Sequence, residues 1–493
     1  MPAVLAIDQG TTGTTCLVVD ESGEIVGRAY SEFTQHFPRA GWVEHDADEI
    51  WEVTLRVARE AVASAGALPT AIGITNQRET TVLWDRARGR PVHRAIVWQD
   101  RRTAARCREI DESGWGARVR DRTGLVVDPY FSATKLEWLL ENVPGARERA
   151  EAGELAAGTI DSWLVWKLTG GRVHATDPTN ASRTFLFDIE RLDWDDELLG
   201  LFGVPRAVLP EVRPSSGDFG ETEASIFGAA IPVAGVAGDQ QAALFGQGCW
   251  SAGLAKNTYG TGAFLLLHTG RERIRSERGM VTTVACGPRG EPAYAIEGSI
   301  FVAGAAVQWL RDGLGIIGGA AETEALARSI PSNEGVYFVP AFVGLGAPHW
   351  EPEVRGTIVG LTRGTGRAHL ARAALEAMAY STAEVLEAME ADAGVVAPDL
   401  AVDGGATRND WLMQFQADVL GRPVRRAALV ESTALGAAAL AGLAVGVWPS
   451  AEAFQAAQRE NVRFTPVMAA SDRDALVAGW RRAIGAARAW IAS

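Results

Sequence analysis

Two short turns rich in glycine and threonine, half a chain apart, limit the fold more than any other feature of the sequence. The first, "DQGTTGTT" at positions 8–15, lies between the apolar runs Val4–Ile7 and Cys16–Val19. The second, Gly260-Thr261-Gly262, turns the chain between an apolar–polar strand reaching Tyr259 and the run Ala263–His268. Two extended segments need only a tight turn, and Gly or Asp suits that. A hairpin of β-prone threonines is the plain reading of either stretch alone. Both turns, however, crowd backbone N–H groups and hydroxyls into a space where they can surround an anion. A weak repeat at this spacing predicts two related domains facing one another, each offering a hairpin to the same ligand.

At 493 residues the chain exceeds what one core usually covers, so two or three domains are expected. Its net charge of −14 argues against a broad nucleic-acid-binding face and against a basic membrane-binding surface. It leaves room for an anionic substrate, provided local donors and a metal ion neutralise it. Cys16, Cys107, Cys249 and Cys286 are far apart and form no CxxC pair, which fits a reduced, cytoplasmic chain. The run Val4–Ile7 is broken by Asp8 too early for a signal peptide. Ser432–Pro449, uncharged and rich in Ala and Gly, is marginal for a bilayer and reads as a buried helix, so no stable membrane insertion is expected. Lysine occurs only at Lys135, Lys167 and Lys256, and no GxxxxGK[ST] is present, which excludes a P-loop.

The other polar clusters fall at the ends of apolar segments. Ala71–Thr75 reads as a buried strand ending at "NQRE", which puts Arg78 and Glu79 beyond its carboxyl end. Ala95–Trp98 ends at "WQDRR", and Pro232–Ala237 runs into "GDQQAALFGQG", where Asp239 opens a helix. In open α/β sheets, ligands collect beyond such ends. Ser132 reads as the N-cap of a helix "ATKLEWLLEN"; Ser299–Arg311 and Asn409–Leu420 read as two further helices. Pro210–Ile231, with little periodicity, reads as the crossing before the second half.

Taken in order along the chain, "DQGTTGTT", "NQRE", "VWQDRR", "YFSATKLEWLLEN", "GDQQAALFGQG", "NTYGTGAF", "FVAGAAVQWLRD", "GAPHW" and "DGGATRND" resemble the glycerol kinases. These belong to the carbohydrate kinases of the actin-like ATPase fold, whose signatures Tyr130–Asn142 and Gly356–Glu376 also resemble. The resemblance implies an α/β chain of two related actin-like (ribonuclease H-like) domains facing each other across a nucleotide and substrate cleft. Residues 1–247 would carry most of the acceptor site and the first phosphate hairpin. Residues 248–493 would carry the second hairpin and the adenosine site. It further implies ATP-dependent phosphorylation of glycerol to sn-glycerol 3-phosphate as the entry step of glycerol catabolism, with ATP and Mg²⁺ as cofactors, and a homodimer or homotetramer.

Each implied residue has its own physical reading. Asp8, after a strand, is a natural carboxylate to hold Mg²⁺ directly or through water; its plainer role is a turn-capping Asx residue. Thr11, Thr12 and Gly13 would donate to the β- and γ-phosphates, and Thr261 would act from the opposite side. Gly304 and Gln308, four apart, share a helix face. A glycine there ordinarily means close packing, whereas the resemblance brings the nucleotide against it, with Gln308 hydrogen-bonding. Gly405 and Asn409 read as a glycine turn and an Asn cap; the resemblance puts the adenosine against them. Arg78 donates and Glu79 accepts, so a vicinal diol can bridge them. Tyr130 adds a phenol, Gln240 a further hydroxyl partner, and Trp98 and Phe264 flat apolar surface, although aromatics are more often core. Asp239 would be the base that takes the proton of the attacking hydroxyl; its plainer reading is a helix cap.

The chain departs from the family pattern at Gly13, where Ser is usual, and at Thr15, where an arginine usually helps hold the phosphates. The segment Thr222–Pro232 lacks the arginine of the fructose-1,6-bisphosphate loop found in some members, so inhibition by that sugar phosphate is not expected. The rival readings are a kinase of another polyol or ketose (erythritol, xylulose, ribulose) and an actin- or chaperone-like ATPase. The second would not need a diol site at a strand end.

Overall fold

The computed structural model describes residues 1–429, 431–459 and 461–491. Its first lobe is built on the strands β1 (Ala3–Gln9), β2 (Gly13–Asp20), β3 (Ile25–Glu32), β4 (Ala71–Asn76) and β5 (Val233–Gly238), in the order β5-β4-β1-β2-β3. β1 and β2 are antiparallel with Asp8 opposite Thr15, whereas β4 and β5 run parallel to β1. Successive side chains of a strand point to opposite faces. Leu5, Ile7, Cys16 and Val18 therefore enter one core with Val53, Val57 and Ala61 of helix α1 (Ala47–Ala65). Val4, Ala6, Leu17 and Val19 enter another on the far face. Asp46 starts α1 by accepting from the Asp48 and Glu49 amides, and Gly66, left-handed at φ 71°, ends it. Helix α2 (Ser132–Asn142) lies further along, and α3 (Asp239–Gly246) follows β5 directly.

The second lobe repeats this plan. Strands β6 (Ala255–Tyr259), β7 (Ala263–Gly270), β8 (Val281–Cys286), β9 (Pro292–Ile300), β10 (Leu400–Asp403), β11 (Val424–Arg426) and β12 (Val462–Phe464) are ordered β8-β9-β7-β6-β10-β11-β12. Its antiparallel hairpin β6–β7 stands where β1–β2 stands in the first sheet, and β10 and β11 run parallel to β6 as β4 and β5 do to β1. The repeat of Gly/Thr turns is thus a repeat of whole sheets, of the ribonuclease H-like kind expected. Helix α4 (Gly304–Gln308) follows β9, and α5 (Arg367–Ala393) and α6 (Asp410–Leu420) pack into the large core on one face of this sheet.

Helix α7 (Ser432–Ala444) is the buried helix expected at the uncharged segment, but it covers the first sheet. Ala434, Leu435, Ala438 and Ala441 pack with Val4, Ala6, Ala71 and Ala234. It also crosses α3 so closely that a Cβ on Gly436 would run into the Ala242 carbonyl.

Several local expectations need correction. Ser299 and Ile300 close β9, and the helix begins only at Gly304, passing into a π-helical turn over Trp309–Gly313. Ser132 is the first residue of α2 and does not cap it; Phe131 holds the cap position, and the Ser132 hydroxyl donates to the Glu79 carbonyl at 3.0 Å. Gly238, not Asp239, holds the cap position of α3. Within Thr222–Pro232 lies a short helix, Ala224–Phe227, whose Ile226 carbonyl is engaged from outside by Arg59. Among the described residues all four cysteines are free and buried, and no helix is long and apolar enough to cross a membrane.

Candidate active site

Both Gly/Thr turns close in the same way. The Gly10 amide donates to the Gly13 carbonyl at 2.9 Å, and the Gly260 amide to the Gly262 carbonyl at 2.8 Å. Thr12 and Thr261 at the tips are exposed, while Thr11 is half-buried. The Thr11 hydroxyl accepts from Trp98 Nε1 at 2.9 Å, which leaves its own hydrogen free to donate. Gly13 has no room for the serine usual at this position, because a Cβ would lie 2.6 Å from the Ser31 carbonyl and 2.9 Å from the Tyr30 ring. Gly304 docks on the second turn: its amide donates to the Gly260 carbonyl at 3.0 Å, and a Cβ would stand 2.6 Å from that oxygen. Its lack of a side chain is thus explained by the hairpin. Gln308 and Gly405 are exposed; Asn409 caps α6, its Oδ1 accepting from the Leu412 amide at 2.9 Å.

Arg78 and Glu79 leave the end of β4 almost fully buried. Arg78 Nη1 donates to Glu297 Oε2 at 2.6 Å and to Gln241 Oε1 at 3.2 Å, Nη2 donates to Glu297 Oε1 at 3.2 Å, and Nε pairs with Asp239 Oδ1 at 3.1 Å. Arg183 Nε donates to Glu79 Oε1 at 2.7 Å and its Nη2 to Glu297 Oε1 at 3.0 Å. A guanidinium carries five N–H donors and a carboxylate two oxygens. The ring of two arginines and two glutamates therefore leaves Arg183 Nη1, one hydrogen on each of Arg183 Nη2 and Arg78 Nη2, and Glu79 Oε2 with no protein partner. Burial works to raise Glu297, but Arg183 and Arg78 outweigh it and pull its carboxyl down to about 2. Burial raises Glu79, with the same two arginines opposing.

Tyr130 lies against this ring, with the Arg183 guanidinium 5.6 Å from its ring centre. Trp98 packs edge-on to Tyr130 at 5.4 Å. Lys135 fixes that loop from below, its ammonium donating to the Tyr130 and Phe131 carbonyls at 2.6 and 3.0 Å. Asp239 is the first residue of α3, half-buried, with Oδ1 taken by Arg78 and by the Gln240 amide at 2.7 Å.

Asp8 stands at the end of β1, its carboxyl raised to about 7 first by burial and then by the charge of Asp239. A bound cation would favour the charged form of Asp8. Among the described residues, no three His, Cys, Asp or Glu side chains gather around one point. An ion here would take one or two carboxylates and complete its shell with water and phosphate oxygens, the usual habit of Mg²⁺, so the donor set fits that ion.

Direct contacts, in part through Arg183, link Thr11, Trp98, Tyr130, Arg78, Glu79, Asp239 and Gln240 into one cluster, with Asp8 within electrostatic reach of Asp239. Phe264 stands on β7 opposite Thr258, half-buried. Thr261 and Gly304 form a second group on the other lobe, with Gly405 and Asn409 at the start of α6. Arg183, Glu297, Lys135 and Lys256 escaped the sequence reading. The signals available were a charge inside an apolar strand, "AIEGSI", and lysines in a chain that otherwise uses arginine.

The sequence matches the FGGY family of carbohydrate kinases, its N-terminal domain over residues 3–246 and its C-terminal domain over 255–445. The glycerol kinase of Deinococcus radiodurans is 58% identical over 490 residues, 99% of this chain and 98% of that protein. Glycerol kinase 2 of Thermotoga maritima is 56% identical over 493 residues, covering 99% of each. The crystal structure of Plasmodium falciparum glycerol kinase with ADP superposes with a TM-score of 0.94 at 36% identity, over 99% of this chain and 98% of that one. With both domain families matched in order and relatives similar from end to end, the chain belongs to the FGGY family of carbohydrate kinases.

Proposed function

We propose that the protein transfers the γ-phosphoryl group of ATP to a terminal hydroxyl of glycerol, giving sn-glycerol 3-phosphate and ADP. The observation that carries this reading is the unpaired donor and acceptor of the Arg78–Glu79 pair beside Asp239. One vicinal diol satisfies both, with Trp98 and Tyr130 as apolar wall, Phe264 closing it and Gln240 contacting a further hydroxyl. Asp239 Oδ2 takes the hydroxyl proton. The oxygen then attacks the γ-phosphorus, and the bond to the β-phosphate oxygen breaks with ADP as leaving group. Phosphoryl transfer depends mainly on positioning and charge neutralisation, so a carboxylate serves as base.

Thr11, Thr12, Gly13 and Thr261 hold the phosphates between the lobes. Gly304, Gln308, Gly405 and Asn409 hold the rest of the nucleotide, and Asp8 holds Mg²⁺ directly or through water. That ion, when bound, neutralises charge developing on the phosphate oxygens. Buried free thiols support a reducing, cytoplasmic setting. The homodimer or homotetramer that the family resemblance implies goes with this reading.

ADP release measured with glycerol, erythritol, xylulose and ribulose tests the acceptor. Glycerol should give the highest kcat/KM, with phosphate on one terminal hydroxyl only. A higher kcat/KM for xylulose or erythritol would overturn the assignment.

A further inference from the structure

Of 47 basic residues only three are lysines, and Lys256 is wholly buried. It lies on β6, just before the second Gly/Thr turn. Its Nζ donates to Gln240 Oε1, across the lobes, and to Thr258 Oγ1 at 2.8 Å. An ammonium has donors only, so the atom it meets must be the amide oxygen. The Gln240 NH₂ then faces away from Lys256, and no described residue accepts from it. Burial lowers the lysine to about 8, while Asp403, Asp239 and Glu297 act to keep it charged.

We propose that Lys256 is a positioning residue for phosphoryl transfer: it fixes the Gln240 amide with its NH₂ toward the acceptor hydroxyls and ties the start of α3 to the strand bearing the second phosphate turn. The inference rests on the kinase reading above. It makes Gln240 a donor, not an acceptor, to the substrate. It also supplies, in a chain with no P-loop, a fixed positive charge between the two halves of the site.

The test uses the full-length protein and the variants Lys256→Met, Gln240→Ala, the double variant and Gln240→Glu. Lys256→Met should lower kcat/KM for the acceptor by about 10- to 100-fold, chiefly through acceptor KM, with the KM for ATP near wild type. If Lys256 acts through Gln240, the double variant loses no more than the worse single one. Gln240→Glu keeps an oxygen for Lys256 but removes the NH₂ donor, so acceptor KM should rise while the melting temperature holds. That variant decides the matter should Lys256→Met fail to fold. Additive losses in the double variant, or a wild-type acceptor KM in Gln240→Glu, would overturn the proposal. If another polyol proves the better acceptor, only the substrate assignment fails, and the same cycle is read on that polyol. If wild type turns over none of them, both readings fall.

Discussion

Glu79 holds φ at 60°, and the Thr80 amide closes a three-residue turn onto the Arg78 carbonyl at 2.7 Å. A non-glycine residue so placed stores on the order of 1–3 kcal/mol of strain, which the buried ion ring around it offsets. Glu297 is the hub of that ring. Glu297→Gln removes the one carboxylate that two buried guanidinium groups share and should cost about 3–5 kcal/mol of stability at pH 7. The carboxyl is lowered from its ordinary 4.5 to about 2, so its contribution is complete above 4.5 and is lost as pH falls toward 2. Melting curves of wild type and variant from pH 7 to pH 2 should therefore converge; a gap unchanged across that range would show that the charge is not what stabilises. Arg78 and Glu79 were legible because they end an apolar strand. Glu297 and Arg183 were not, since they meet Arg78 and Glu79 across 219 and 104 residues and only the assembled sheets bring them there.

At the scale of elements, α3 and α7 cross at a contact made of small residues. Gly436→Ala would push a methyl group into the Ala242 backbone, and such overpacking costs about 1–3 kcal/mol, so the melting temperature should fall. An unchanged melting temperature would mean the two helices can part without loss. That Ser432–Ala444 is a buried helix was legible from its lack of charge. Which sheet it covers was not, because a helix apolar on every side points to no single partner. The misplaced start of the helix after β9 has a similar cause. The run "SIFVAGAAV" stays apolar from strand to helix, with no polar break to mark the boundary. The two hairpins, by contrast, were plain, since Gly and Thr cluster at their turns and an apolar run follows each, Cys16–Val19 and Ala263–Leu267.

Across the whole molecule, two sheets that share a five-strand order (β5-β4-β1-β2-β3 and β11-β10-β6-β7-β9) present matched turns, with one lobe supplying Asp8, Arg78, Glu79 and Asp239 and the other Lys256, Glu297 and Thr261. The ion ring and the Lys256–Gln240 contact join the two lobes beside Asp239. The central claim is that Asp239 at this junction takes the proton of the attacking hydroxyl. Asp239→Asn keeps the shape and an oxygen for Arg78, so folding and nucleotide binding should hold. The measurement is kcat with glycerol and ATP for wild type and Asp239→Asn, alongside melting temperature and nucleotide Kd. Removing a general base costs typically about 10²–10⁴ in rate, and kcat should fall within that range with the other two quantities near wild type. Near-wild-type turnover by the folded variant would contradict the account and leave Asp239 as a structural partner of Arg78 alone.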